Sequence, residues 1–439
     1  MHIQSISSPP TQETIHVFTM ENKTNASRIN TNKKVHYIST DAWFLDMKQA
    51  AAKISSNNRK IFLDLSPLAQ KYKRPAALLV FKHVYKFTAL FSKPNRKKET
   101  IQLFLIGIPE IVDLLKSLVI GSDLATQPAN KMYPEQFCRH VKKLFSQSPG
   151  YKVKSFDEHE MAHLGLNLIN AVGRGAEKQP RFLIIEAPSP APNAPVVALV
   201  GKGVCFDSGG YNLKPSSSMM SMKGDKTGGA IVVSIMHYFK EQQQGNTTTP
   251  YKLIGVIPLV ENLISHKAQK VGDVHTAYNG KTVEILNTDA EGRLILADAL
   301  AYVSKVYKPA LTLDFATLTG WAQILHCDTS FVYFTTNDTL ANQVTKEGDR
   351  AGERSMRLPN WPEYQRFTKS DIADYKNVNF ECGRSDGFMA SMFLMNFVDN
   401  PKRWVHFDVT HTTTKNNMHV VGSAATAIAL LQKHDLTFA

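Results

Sequence analysis

Cysteine is scarce: Cys138, Cys205, Cys327 and Cys382 stand far apart in 439 residues and form no CxxC pair. That spacing excludes a disulfide framework and a thiolate zinc site, and fits reduced thiols. Long apolar runs are missing as well. Residues 76–81 are followed by Lys82, and 108–120 carry Glu110, Asp113 and Lys116, so no segment approaches the roughly 18 uninterrupted apolar residues of a membrane helix. No membrane partner is expected. The first residues, MHIQSISSPPTQETIH, have neither the basic start nor the apolar core of a secretory signal. A cytoplasmic setting follows, in which the sequons at Asn25 and Asn246 stay unmodified. Gly (24) and Pro (21) are not enriched, which with 43% hydrophobic and 20% charged residues excludes collagenous, low-complexity and disordered classes. At about 150 residues per domain, the length suits two domains or one large one.

Acidic residues are in deficit. Lys and Arg number 51 against 38 Asp and Glu, a formal charge of +13, and the stretch 71–98 holds nine Lys/Arg with no acid. Such a run reads first as a solvated basic face and second as a surface for DNA or another polyanion. No zinc-finger, helix-turn-helix or aromatic RNA-binding signature accompanies it.

Residues 1–35 are polar, with Pro9-Pro10, and are expected to be mobile or to add an edge strand. Ile61-Phe-Leu-Asp-Leu and 101–106 read as strands, and Leu78-Leu-Val-Phe as a strand or helix, giving a small α/β domain over 1–107. Pro109 with Ile111, Val112, Leu114, Leu115, Leu118 and Val119 has helical spacing, so 108–120 is expected to be a linking helix. Over 121–439 the pattern alternates. Strands are expected at 181–186, 196–200, 252–258, 282–286, 311–316 and 404–409. Helices are expected at 134–144, 161–171, 227–239, 294–305 and 423–432. Unbroken apolar strands between amphipathic helices predict an α/β fold whose larger C-terminal domain has a mostly parallel central sheet covered by helices.

Two segments carry chemistry. In GKGVCFDSGGYNLKPSSSMMSMKGDKTGG, residues 201–229, an apolar strand runs into Lys202, Asp207, Gly209-Gly210, Lys214 and Asp225. Ligands collect beyond the carboxyl ends of parallel strands, where glycines let backbone approach them closely. In TVEILNTDAEGRL, residues 282–294, Asp289, Glu291 and Arg293 follow a strand at intervals of two, which in extended backbone aims all three to one side. Asp207, Asp225, Asp289 and Glu291 brought together need counter-charge, and a pair of divalent metals is the natural neutraliser. Oxygen ligands with a single amine suit Zn, Mn, Co or Mg.

The string NTDAEGRL at 287–294 resembles the signature of the leucyl aminopeptidases, or cytosol aminopeptidases. Similar stretches follow the family's order: TQPANKMYP at 126–134, GKGVCFDSGG at 201–210, LKP at 213–215, ATLTG at 316–320 and WVHFD at 404–408. The resemblance covers about 120–439, and VYKFTALFSK at 84–93 is similar to the family's last N-terminal strand region. It implies a two-metal exopeptidase that releases N-terminal residues, leucine among them, by attack of a hydroxide held between the ions. One ion would be held by Lys202, Asp207, Asp225 and Glu291, the other by Asp207, Asp289 and Glu291. Lys214 would polarise the scissile carbonyl, and Arg293 would hold a bicarbonate serving as base. The resemblance further implies a homo-hexamer acting on peptides with a free N-terminus. Two departures stand out. Lys226-Thr227 after Asp225 puts a cation where the family has an apolar residue lining the side-chain pocket, and Thr410-His411 after Asp408 implies altered packing.

Other motifs compete. His159-Glu160-Met161-Ala162-His163 matches HExxH, the zincin pattern of two histidines one helical turn apart, although a solvated helix start explains it as well. His406, Asp408 and His411 imitate a metal cluster but read better as a satisfied polar edge. Cys205 on a buried strand reads as a small hydrophobe.

Overall fold

The structure is a computed structural model that describes residues 1–6, 15–19, 33–37, 49, 60–85, 102–245, 247–326, 330–380, 386–410, 414–415 and 418–433. Two sheets dominate. The smaller has β1 (His2–Ser5), β2 (Ile15–Thr19), β3 (Lys33–Tyr37), β4 (Lys60–Asp64) and β5 (Gln102–Ile106) in the order β1-β5-β4-β2-β3, every pair parallel. Within 1–35, expected to be mobile or an edge, β1 is indeed an edge strand, whereas β2 lies inside the sheet.

The larger sheet is built from β6 (Lys152–Phe156), β7 (Arg181–Glu186), β8 (Val196–Gly201), β9 (Gly203–Asp207) and β10 (Lys252–Asn262). It continues through β13 (Leu311–Ala316), β14 (Ser330–Phe334), β15 (Arg354–Arg357) and β17 (Trp404–Asp408), after the short β11 (Val274–Thr276), β12 (Thr282–Glu284) and β16 (Tyr375–Lys376) make a side sheet. Its order is β15-β14-β17-β13-β8-β10-β7-β6, with β9 also on β10; the pairings among β8, β9, β10, β13 and β17 are parallel, and those of β10 with β7 and of β17 with β14 are antiparallel. Both faces are covered, as the unbroken apolar runs require. Along β8, Val197 and Leu199 enter a core with helices Val112–Thr126, Thr227–Gln244 and Ala424–Leu431. Ala198 and Val200 enter the opposite core with Asn167–Gly173, Glu291–Tyr307 and Asp386–Met395.

The run Leu78–Phe81 is helical, within Gln70–Val84, and Ala76, Ala77, Leu78, Val80 and Phe81 are buried in the same core as Leu340, Val344 and Ala424. Of the described cations of the basic stretch Lys71 is exposed, and three others are tied to the fold. Lys73 donates to the Gly107 carbonyl at 3.1 Å, Arg74 to the Ala425 carbonyl at 3.3 Å, and Lys82 pairs with Glu353 at 2.9 Å. Residues 86–98 of that stretch, and with them most of 84–93, lie outside the described residues. The linking helix runs over Val112–Thr126 after a 3-10 turn at Pro109–Ile111.

No helix among the described residues is long and apolar enough to cross a membrane. The competing motifs resolve structurally. Asp157 caps the helix Glu158–Leu164 by accepting from the Glu160 N–H at 3.0 Å, while the Glu160 carboxylate accepts from the Asp157 N–H at 2.8 Å. His159 and His163 are exposed, so the HExxH string is a capping box and not a zinc site. His406 and Asp408 lie on β17 between β13 and β14, not at an edge. Asp314 accepts from Trp404 Nε1 and pairs with His406 Nδ1, each at 2.6 Å, while His411 lies outside the described residues. Cys205 is fully buried on β9, and burial pushes its thiol pKa up.

Glu353 ties the helix Gln70–Val84 to the helix Ala424–Leu431, since its carboxylate accepts from Lys82 and from the Thr426 N–H and hydroxyl at 2.9 and 2.7 Å. Glu353→Ala strands the Lys82 charge and the Thr426 donors, and should cost about 3–5 kcal/mol, the range for breaking a buried pair. A urea midpoint shift measures it; Glu353→Gln, which keeps an acceptor, should lose less.

Candidate metal centre

The carboxyl ends of β8, β9 and β13 converge on one edge of the large sheet. Lys202 sits between β8 and β9, its N–H donating to the Phe315 carbonyl at 2.9 Å and its carbonyl accepting from Gly229 at 2.8 Å. Its ammonium lies 2.8 Å from Asp225 Oδ2 and 3.0 Å from Glu291 Oε1, and donates to the Thr317 carbonyl at 2.7 Å. Gly292 makes room for it: a Cβ there would come within 2.6 Å of Lys202 Cε.

Asp207 ends β9. Its Oδ1 accepts from the Gly209 N–H and from Asn262 Nδ2, both at 2.8 Å, and its Oδ2 faces Lys214 at 2.8 Å. Lys214 also reaches Asp289 Oδ1 at 2.5 Å. The two sequence segments are stitched together beside it. Asn212 donates its N–H to Thr288 Oγ1 at 2.9 Å and accepts the Thr288 N–H at 2.8 Å, and Gly209, at φ +88°, leaves space for Asp289.

Asp207, Asp289 and Glu291 each direct a carboxylate oxygen to within 4.8 Å of the others. Crowding out of water disfavours the charged forms. Burial, then the Asp207 charge, pushes Glu291 up to about 8 and Asp289 up to about 6. Burial likewise raises Asp225, against the pull of Lys202. For Lys202 and Lys214 burial favours the neutral amine, but the surrounding carboxylates outweigh it and raise both. Four carboxylates face two ammonium groups, and Glu291 Oε2 is buried without a hydrogen-bond partner among the described residues. A set of hard oxygens with one amine, short of positive charge and with an orphaned buried oxygen, fits divalent cations.

One expectation is corrected. Residues 289–293 are not an extended strand end, because the helix Glu291–Tyr307 begins at Glu291. At 3.6 residues per turn, positions two apart diverge by about 200° around the axis. Glu291 therefore turns to Lys202, and Arg293 turns to Asn377 and Asp386. Arg293 Nη1 donates to the Asn377 carbonyl at 2.7 Å and Nη2 pairs with Asp386 Oδ1 at 2.6 Å. No hydrogen bond or ion pair among the described residues joins Arg293 to the carboxylate cluster. Lys226, expected to line a pocket, is fully buried and donates to the carbonyls of Gln127, at 2.8 Å, and Lys223.

Three partners were not singled out from sequence. Thr317 holds Asp225 Oδ1 through its hydroxyl at 2.7 Å; it lies inside ATLTG, which offered the signal. Asn262 is the polar end of the apolar strand β10. Asn377, whose amide accepts from Leu286 N–H at 2.8 Å and donates to the Asn287 carbonyl at 2.6 Å, carried no sequence signal.

The model of the cytosol aminopeptidase family, catalytic domain, matches residues 120–431. The chain belongs to the cytosol aminopeptidase family. A probable cytosol aminopeptidase of Chloroherpeton thalassium is 40% identical over 309 residues, 70% of this chain and 59% of that protein. One of Nitrobacter winogradskyi is 39% identical over 68% of this chain and 58% of its own length. The matched region thus spans just under three fifths of these relatives. The cytosol aminopeptidase of Coxiella burnetii superposes with a TM-score of 0.81 at 26% identity, over 98% of this chain and 99% of that one. The bottromycin maturation enzyme BotP in complex with Mn gives 0.81 at 26%, over 95% and 98%. The α/β fold with its helix-covered sheet is that of the family.

Raised acid pKa values mean that the folded metal-free protein holds protons that the unfolded chain releases above its ordinary carboxyl range, so stability falls as pH rises. With EDTA, the melting temperature should drop between about pH 4.5 and 8, the window between the ordinary Glu value and that of Glu291. Mn at a fixed concentration of 100 times its Kd at pH 8 should add about 2.7 kcal/mol per site there, and less at lower pH, where protons compete for the carboxylates. Thermal unfolding with and without Mn measures both.

Proposed function

We infer that this chain is a metal-dependent aminopeptidase that releases N-terminal amino acids from peptides. The observation that carries the reading is the buried juxtaposition of Asp207, Asp289 and Glu291 with Lys202 and Lys214 at the carboxyl edge of a parallel sheet. Two divalent ions bound there, with Mn or Zn first and Co or Mg as alternatives, supply Lewis acidity toward a carbonyl and lower the pKa of water. Mn is the ion in the BotP complex. Asp207 and Glu291 stand between the two halves of the cluster and would contribute to both sites. Lys202 and Asp225 complete the inner one, and Asp289 the outer one. Dications beside Lys202 oppose its protonation and free its lone pair.

The substrate side follows from exposure. The side chains of Lys202, Asp225 and Glu291 are 2–6% exposed, whereas Lys214 is 15% and Asp289 29% exposed. A peptide therefore meets Lys214 and Asp289 first, and Lys214 is placed to hold the oxyanion that develops on the scissile carbonyl. Leucine is the first side chain to test. The relatives' names place them in the cytosol, in line with a cytoplasmic setting for this chain. A homo-hexamer is proposed on the family's pattern, and gel filtration near six chains of 49.0 kDa tests it. DNA binding through 71–98 is the weaker reading, because Lys73, Arg74 and Lys82 are tied to the fold.

With Mn added, the wild type should hydrolyse leucyl p-nitroanilide and leave the N-acetylated compound intact. Asp289→Ala should lose roughly a thousandfold, about 4 kcal/mol of transition-state stabilisation, and Glu160→Gln nothing. Full activity in Asp289→Ala refutes the assignment of the outer site.

A further inference from the structure

Asn262 ends β10, and both of its amide hydrogens are spent on the carboxylate cluster and its support. The side chain donates to Asp207 Oδ1 at 2.8 Å and to the Thr288 carbonyl at 3.0 Å. A carboxylate oxygen and a carbonyl both need donors, so the NH2 end of the amide must face them. The residue is 2% exposed, and the two bonds are made out of bulk water, where each counts for more.

The backbone of Asn262 works on the same loop. In the parallel pairing of β9 with β10 it stands opposite Asp207, and its carbonyl accepts from the Ser208 N–H at 3.0 Å and from the Ser208 hydroxyl at 2.8 Å. Main chain thus fixes the position after Asp207, and side chain fixes the Asp207 carboxylate. Thr288 is the residue before Asp289, so one planar amide sets the distance between a carboxylate of 201–229 and the backbone that carries a carboxylate of 282–294. The other stitches between the two segments, from Asn212 and Gly209 to Thr288, touch neither carboxylate.

We propose that Asn262 is a positioning residue of the metal centre: it sets Asp207 and Asp289 at the separation that the outer ion needs, and so decides how tightly that ion is held. The proposal rests on the two-ion reading of the cluster given above. The two sites depend on Asn262 unequally. Of the outer ligands Asp207, Asp289 and Glu291, two hang on it, Asp207 directly and Asp289 through Thr288. Of the inner ligands Lys202, Asp207, Asp225 and Glu291, only Asp207 does, because Lys202 and Asp225 are held by Thr317. Hydrogen-bond partners of metal ligands commonly contribute about 10–100-fold in metal affinity. Here that contribution falls on the outer ion.

Calorimetric titration of the metal-stripped chain with Mn tests this without substrate. The wild type should take up two equivalents and Asp289→Ala one. Asn262→Ala should weaken one of the two equivalents by about 10–100-fold. Placed in Asp289→Ala, which keeps the inner ion alone, the same substitution should weaken Mn by less than about threefold, as expected of a site that depends little on the amide. In excess Mn, Asn262→Ala should regain most of its leucyl p-nitroanilide hydrolysis with KM unchanged. Equal weakening in both backgrounds, or none in either, overturns the proposal. So does activity that stays low once both ions are bound, which would assign Asn262 to the chemistry. Should Asn262→Ala fail to fold, Asn262→Ser, too short to span both acceptors, is read in the same titrations. A wild type that takes up fewer than two equivalents overturns the proposal together with the two-ion centre. A wild type that binds two ions and is inert toward leucyl p-nitroanilide sinks the aminopeptidase reading alone, and the titrations still decide the role of Asn262.

Discussion

Four carboxylates gathered out of water around two ammonium groups set the terms for everything else in this molecule. Carboxylates so placed cannot all stay charged without added positive charge, and the structure shows the strain in the upward shifts of Glu291 and Asp289. Holding them there requires rigid support. Strands buried on both faces supply it: β8 and β13 end side by side with Gly201 opposite Phe315, β9 continues along β10 to Asp207, and the Lys202 backbone is pinned on one side by Phe315 and on the other by Gly229. The apolar bulk of the chain is what keeps a handful of charges in fixed opposition.

The cluster was legible in the sequence because each of its members sits in a short segment where a strand ends among glycines and charges. Lys202, Asp207, Lys214, Asp225, Asp289 and Glu291 do come together. The backbone around Arg293 was read as extended for a definite reason. The helix beginning at Glu291 has Ala290 at its N-cap with no side-chain hydrogen bond, so no capping residue announced it, and the apolar period that revealed it starts only at Leu294. Reading three residues too late kept 289–293 extended, where the helix turns Arg293 to Asn377 and Asp386. Asn377 and Asp386, its true partners, lie 84 and 93 residues away, a distance that no local pattern spans.

Elsewhere the limit was ambiguity of period. Leu78-Leu-Val-Phe is too short to separate strand from helix, and the outcome was settled by tertiary burial against Leu340, Val344 and Ala424. Lys73, Arg74 and Lys82 looked like free charge because their partners are Gly107, Ala425 and Glu353, far along the chain. The HExxH string shows the converse: a specific-looking motif whose glutamate is fully explained by a capping box. Local chemistry decides such a case only when the residue's other demands are known.

The two ends of the cluster differ in a way that gives them different work. At the inner end Lys202 is enclosed by Asp225, Glu291 and the Thr317 carbonyl, so an ion there would be held by groups that water scarcely reaches, and its loss would leave several charges buried at once. At the outer end Lys214 and Asp289 are more exposed, and charge there exchanges with solvent at less cost. Asp207 couples the two, being bound by Asn262 on the inside and Lys214 on the outside. A change at the open end is therefore felt at the closed one through Asp207 and through Glu291, which β9 and the helix Glu291–Tyr307 hold in place.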